Sequence, residues 1–217
     1  TQKEKEIDAI HHNVSNSLEA LANWYEVEWS SLLQKGSGEQ LQQAFLKGRQ
    51  LYKKEEWAIE YFFAATAKEL NGPPVPEIEA AEHLLFPPSG FQVMETFLFP
   101  FKENNRTTLL QESKKWRSVL LRLQTLWAGH RFRDDQVWAA ARLQLLRITS
   151  LGLSNFDTPL SFASLSEIQY SLAGVEAALL HYGKRVPENE KEMFQKAFAD
   201  AYAFLQMPRS FDGFDRI

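Results

Sequence analysis

The chain has 217 residues, 44% of them hydrophobic and 13% aromatic, a net charge of −4 and no cysteine. That composition supplies a core and excludes disorder, since disordered chains lack the apolar surface that offsets ordering entropy. Lack of cysteine excludes disulfides, thiolate metal sites, Cys nucleophiles and covalent c-type haem.

No basic run is longer than Lys53-Lys54 or Lys114-Lys115, so neither nucleic acid nor an anionic membrane is an expected partner. No apolar run approaches the ~20 residues of a membrane helix, and no transmembrane segment is expected. Thr1 to Glu6 lacks the apolar centre of a signal peptide, so an exported protein would have lost its signal before this chain begins.

Ile7, Ile10, Val14, Leu18, Leu21, Tyr25 and Leu32 recur at helical spacing and predict a first helix over about residues 3–34. After Gly36 and Gly38 a second stripe runs through Leu41, Phe45, Gly48, Tyr52, Ile59, Phe63 and Leu70, which predicts an antiparallel helical hairpin. Asn71-Gly72-Pro73-Pro74-Val75-Pro76 stops it, and a crossover extends to about Pro88.

A short helix follows in PPSGFQVMETFLF. Leu109 or Leu110, Trp116, Leu120, Leu123 and Trp127 then mark a third long helix ending at Gly129. Asp134 is the expected N-cap of a fourth, carrying Val137, Ala141, Leu145 and Ile148. Asn155-Phe156-Asp157-Thr158-Pro159 breaks the chain again, Leu165 to Leu179 form the next helix, and Phe194, Phe198, Ala201 and Leu205 the last.

With no sustained two-residue alternation, no sheet is expected. The fold class is all-α, a helical bundle of six to eight helices, either one domain over 1–217 or two packed subbundles with halves 1–103 and 104–217.

Polar residues interrupt two of these stripes. Ser89 and Gln92 fit a capping box at the start of the short helix. Glu95 lies among Phe91, Val93, Met94, Phe97, Leu98 and Phe99, and a buried carboxylate needs a cation, a hydrogen-bond donor or a proton. On the second helix the stripe passes through Glu55 or Glu56.

Glu56 and Glu95 pointing into one core would resemble the carboxylate pairs with which bundles hold iron, manganese, calcium or magnesium. The plain alternative ties each carboxylate to Arg49, Arg117, Arg122 or a Tyr hydroxyl. The histidines add little: His11 and His12 diverge by about 100° on a helix, and His83, His130 and His181 fit capping or surface roles. The six tryptophans fit the core, with an aromatic ligand pocket as the alternative. No phosphate loop, zinc-protease helix or nucleophile elbow is present.

Tyr52-x-x-x-Glu56 followed by Gly90-Phe91-Gln92-Val93-Met94-Glu95 resembles the imelysin-like family of bacterial envelope proteins, whose motif reads Gly-x-His-x-x-Glu. Residues 45–100, with Asn71-Gly72-Pro73-Pro74, look closest to the helical segment preceding di-haem cytochrome c peroxidase modules. Residues 106–217 are similar in architecture only.

The resemblance implies a helical bundle with a pseudo-repeat in the periplasm or cell envelope. It implies a role in iron uptake or haem-linked metabolism, and a ligand or metal site at Tyr52, Glu56, Gln92 and Glu95. Gln92 stands where the family has His, which weakens a transition-metal site and removes a histidine base. The expectation is therefore a non-enzymatic binding domain without covalent haem, its partner a di-haem peroxidase module or another envelope protein. The alternatives are a metal-dependent enzyme or metal carrier using Glu56 and Glu95, with a divalent metal or iron as cofactor, and a purely structural docking domain.

Overall fold

Helix α1 (Gln2–Trp24) passes through a π turn (Tyr25–Trp29) into α2 (Ser30–Lys35) with helical geometry at both joints, so the first stripe forms one continuous rod. The computed structural model describes residues 2–79, 84–206 and 213–214. His83 lies outside the described residues, as does most of the stretch from Ser210 to Ile217.

Helix α3 (Gly38–Phe62) opens on a capping box, with Gln40 N donating to Ser37 Oγ at 3.3 Å and Ser37 N to Gln40 Oε1 at 2.9 Å. The stripe expected to continue to Leu70 breaks at Phe63, which leaves helical geometry (φ −138°, ψ 51°) and starts α4 (Ala64–Asn71). Phe63 there packs against Trp127 and His130, so tertiary contacts override the periodicity.

The crossover contains a three-residue antiparallel ladder, β1 (Glu77–Glu79) with β2 (Leu84–Phe86). Pro73, Pro74 and Pro76 keep the preceding chain extended, and no strand alternation announces the pairing. Helices α5 (Phe91–Leu98), α6 (Arg106–Gly129), α7 (Asp134–Arg147), α8 (Ser164–Leu180) and α9 (Glu188–Gln206) complete the chain. With α1 and α2 taken as one rod, the described residues form an all-α bundle of eight helical rods.

Two details of α7 differ from expectation. Arg133, not Asp134, is its N-cap residue; Asp134 instead receives Arg185 at 3.0 Å and Lys3 at 3.2 Å. Leu145 is exposed while Gln144 turns inward, drawn by a hydrogen bond to a buried carboxylate that compensates its amide.

One apolar core runs through both halves of the chain. At its centre Trp24 stacks on Trp29, and Phe91 packs against Trp116 and Phe45 with centroids 4.8 and 5.6 Å away. Five of the six tryptophans are buried there, as core residues should be. A smaller cluster of Ile148, Ile168, Leu172 and Leu205 lies beneath α9.

Helix α3 is central, packing against α1, α4, α5, α7 and α8. Its approach to α8 is so close that a Cβ on Gly174 would stand 1.7 Å from the Lys54 carbonyl oxygen. This contact separates two clefts, one on each side of α3.

Candidate functional site

The four residues singled out in the sequence are all buried: Tyr52, Glu56, Gln92 and Glu95. They lie on α3 and α5, which are brought together by the turn at Gly90. Gly90 adopts φ 98°, a left-handed region open to glycine, and a Cβ there would strike the Leu70 carbonyl at 2.5 Å. That turn sets the start of α5 against the end of α4.

Gln92 does not cap its own helix. Its Nε2 donates to the Asn71 carbonyl at 2.6 Å, one of the orphan acceptors at the end of α4, and to Asp157 Oδ1 at 3.4 Å. Ser89 donates to the Glu69 carbonyl instead, and α5 has no side-chain cap. The expected capping box is therefore absent because the nearer unpaired group belongs to the neighbouring helix.

Glu56 is held by three donors. Lys53 Nζ lies 2.7 Å away, Gln144 Nε2 2.7 Å and Arg147 Nη2 3.4 Å. Lys53 also reaches Asp157 at 2.5 Å, and Arg147 bridges to Glu60 at 2.8 Å. Arg49, expected as a partner of Glu56 or Glu95, instead forms a two-toothed pair with Glu167 at 2.5 and 2.9 Å and donates to Asn71 at 3.0 Å.

Glu95 meets no hydrogen-bonding partner from α3. Its Oε1 accepts from the Ser161 backbone N–H at 2.9 Å and hydroxyl at 2.6 Å, on the connection between α7 and α8. Gln92 and Glu95, one turn apart on α5, thus both grip that connection, at Asp157 and at Ser161. Within it Asn155 and Phe162 both have positive φ, and Asn155 exchanges two hydrogen bonds with Thr158 at 2.8 Å. Asparagine tolerates this geometry; a phenylalanine needs surroundings that impose it.

Three cations, Arg49, Lys53 and Arg147, face five carboxylates, Glu56, Glu60, Glu95, Asp157 and Glu167. Burial works against charge on Lys53 and Arg49, yet the carboxylates beside them hold both pKa values above the usual range. Burial also opposes ionisation of Asp157, but Lys53 and Arg49 overcome it and keep that carboxyl low. The surplus carboxylates hold protons more readily: burial pushes Glu60 up to about 7 despite Arg147, and raises Glu95 despite Ser161 and Arg49. The network therefore approaches neutrality by pairing three acids and loosening the other two.

Beside it lies a cleft lined by Lys53, Glu56, Gln144, Arg147, Asp157 and Ser164, with an inner space of about 20 Å³, enough for one water-sized group. Tyr52 Oη, Gln144 Oε1, Arg147 Nε and Ser164 Oγ are buried in this region without a hydrogen-bond partner. The tyrosine hydroxyl is held strongly protonated, chiefly by burial and then by Glu60 and Glu56.

These donors do not suit a metal ion. Glu56 already carries an ammonium and a guanidinium within bonding distance, and Glu95 spends an oxygen on Ser161. Among the described residues no group of three or more His, Asp or Glu side chains is arranged to hold one.

Two histidines pack against aromatic side chains, and one of them, His130, does so from the C-cap position of α6. His11 stacks on Trp127 and contacts its carbonyl at 2.8 Å, while His130 packs against Phe62 and Phe63 with its pKa lowered by burial. His181 contacts Asn13 at 2.7 Å in an exposed position.

Lys53, Gln144, Asp157, Ser161 and Glu167 were not visible as site residues in the sequence. Lys53 carried one signal, its place a single turn before Glu56; the others come from distant segments. No model of a known protein family matches the chain, and no curated protein matches it. Within the described residues no helix is long and apolar enough to cross a membrane.

Proposed function

We propose that the chain is a non-enzymatic helical binding domain of the imelysin-like kind. It acts in the bacterial periplasm or envelope, and its partner is a di-haem cytochrome c peroxidase module linked to iron or haem metabolism. The observation that carries this reading is the grip of Gln92 and Glu95 on the α7–α8 connection, which displays Phe156 and Leu160 at 54% and 44% exposure. Large apolar side chains fixed on a rigidly held loop are ready anchors for a partner surface. The motif residues then serve to set a loop in place, and the water-sized inner space leaves no room for haem or another organic ligand inside this cleft.

The test is calorimetric titration of the chain with a purified di-haem cytochrome c peroxidase, beside a Phe156→Ser/Leu160→Ser variant. The expected result is saturable binding, weakened at least tenfold in a variant with an unchanged circular dichroism spectrum. A parent that does not bind, or a variant that binds equally well, defeats the reading. Elemental analysis after loading with iron, zinc, manganese and calcium tests the metal-carrier alternative. Near-stoichiometric metal that is lost in a folded Glu56→Gln/Glu95→Gln variant would establish that alternative.

A further inference from the structure

The opposite side of α3 carries a larger cleft, about 250 Å³, enclosed by α1, α3 and α8. Its wall is apolar at Ile10, Val14, Ala177 and Ala178, and polar at Asn13, Asn16, Ser17, Lys54 and Glu55. The volume is slightly below that of sites for drug-sized molecules. Its occupant is correspondingly small.

Three features give the cleft a chemical character. Glu55 is only 5% exposed and, among the described residues, has no ion-pair partner; Lys54 shares the lining, and its charge acts on Glu55. Trp57 is 2% exposed, and its buried indole N–H makes no close hydrogen bond, acting on the Glu55 carboxyl only at longer range. Asn13, Asn16 and Ser17 add amide and hydroxyl groups along the same edge. The cleft thus offers one acid, one cation, an incompletely satisfied donor and an apolar wall.

We propose that this cleft binds a small zwitterion of the free amino-acid class. The ligand ammonium lies on Glu55, its carboxylate on Lys54 and the Trp57 N–H, and its side chain on the Ile10–Val14–Ala177 wall. A simple cation would leave Lys54 facing like charge, and a simple anion would face Glu55; a zwitterion satisfies both. Buried polar groups without partners select ligands that complete them.

Burial pushes the Glu55 carboxyl up to about 7, with Ser17, Lys54 and Trp57 only partly opposing it. The neighbours acting on the group are therefore Ser17 from α1 and Lys54 and Trp57 from α3, while α8 contributes only Gly174, Ala177 and Ala178 to the lining. An arriving ammonium takes the place of the proton, so binding near pH 6 releases H⁺ to solvent.

Isothermal titration with alanine, leucine and glutamine in turn tests the proposal, each beside its methyl ester and its N-acetyl form. The expected result is saturable binding of at least one amino acid, with both blocked forms at least tenfold weaker. At pH 6 the heat should change with the ionisation enthalpy of the buffer. Binding should vanish in Glu55→Gln and in Ala177→Met, which fills the cleft without altering charge, both checked for fold by circular dichroism. Absence of heat with all three amino acids overturns the proposal. So does equal binding of a methyl ester, or full binding by Ala177→Met.

Discussion

Glu55 and Glu56 are neighbours in the chain and nearly equal in burial, at 5% and 2% exposure, yet they lie in opposite settings. A helix turns its side chains by about 100° per residue, so one carboxylate faces α7 and the first part of α8, and the other faces α1 and the later part of α8. On the Glu56 side, Lys53, Arg147 and Gln144 crowd a space for one water. On the Glu55 side, a roomy cleft supplies no ion pair, and burial leaves the acid ready to hold a proton near neutral pH. Equal burial therefore does not give equal surroundings: Glu56 meets cations from its own helix and from α7, and Glu55 meets no ion-pair partner among the described residues.

The largest expected effect comes from breaking the compensated side. Lys53→Met removes the ammonium shared by Glu56 and Asp157 and leaves two buried acids short of a cation. Losing one partner of a buried pair typically costs about 3–5 kcal/mol. Urea unfolding should show that loss at neutral pH, and Lys53→Met/Asp157→Asn should recover part of it. A midpoint unchanged by Lys53→Met would mean that the ammonium compensates nothing.

Glu55→Gln sharpens the other side and has the opposite sign. The folded carboxyl, raised from 4.5 to about 7, binds protons more tightly than the unfolded one. Its contribution is therefore fully present below pH 4.5 and is lost as pH rises through about 7. At 1.36 kcal/mol per pKa unit this amounts to roughly 2–4 kcal/mol. The glutamine variant should match the parent in acid, less any effect of the exchange itself, and exceed it above pH 7. Parallel stability curves for the two proteins between pH 4.5 and 8 would show that Glu55 titrates normally.

The contrast between the two sides also explains what could be read in the sequence. Helices with long apolar stripes were legible from Ile10 to Tyr25 and from Leu109 to Trp127, because each buries one continuous face, while past the π turn the buried position is Leu33 in place of the expected Leu32. The burial of Glu95 was legible too, since its helix has almost no polar side. Its partner was not: Ser161 lies 66 positions away on a connection with no periodicity to locate it. Gln92 suits a local cap by its spacing from Ser89 but binds elsewhere for the same reason, as Asn71 is brought near only by the left-handed turn at Gly90. Nor could the choice between Glu55 and Glu56 be made from one stripe, because α3 has packed neighbours on both flanks and buries both.

The smallest effect tests how closed the Glu56 side is. Tyr52 Oη is buried without a hydrogen-bond partner, while the tyrosine ring meets Phe91 edge-on at 5.7 Å. Tyr52→Phe keeps the ring contact and removes only the hydroxyl, whose unpaired burial costs about 1–3 kcal/mol in general, though deletion also leaves a small void. The two terms oppose each other, so the expected change is a gain of no more than about 1 kcal/mol, measured by urea unfolding. A loss larger than that would show that the hydroxyl has a solvent or ligand partner in the cleft. The Glu56 side would then be an open binding surface like its counterpart across α3, and the contrast between the two would rest on charge alone.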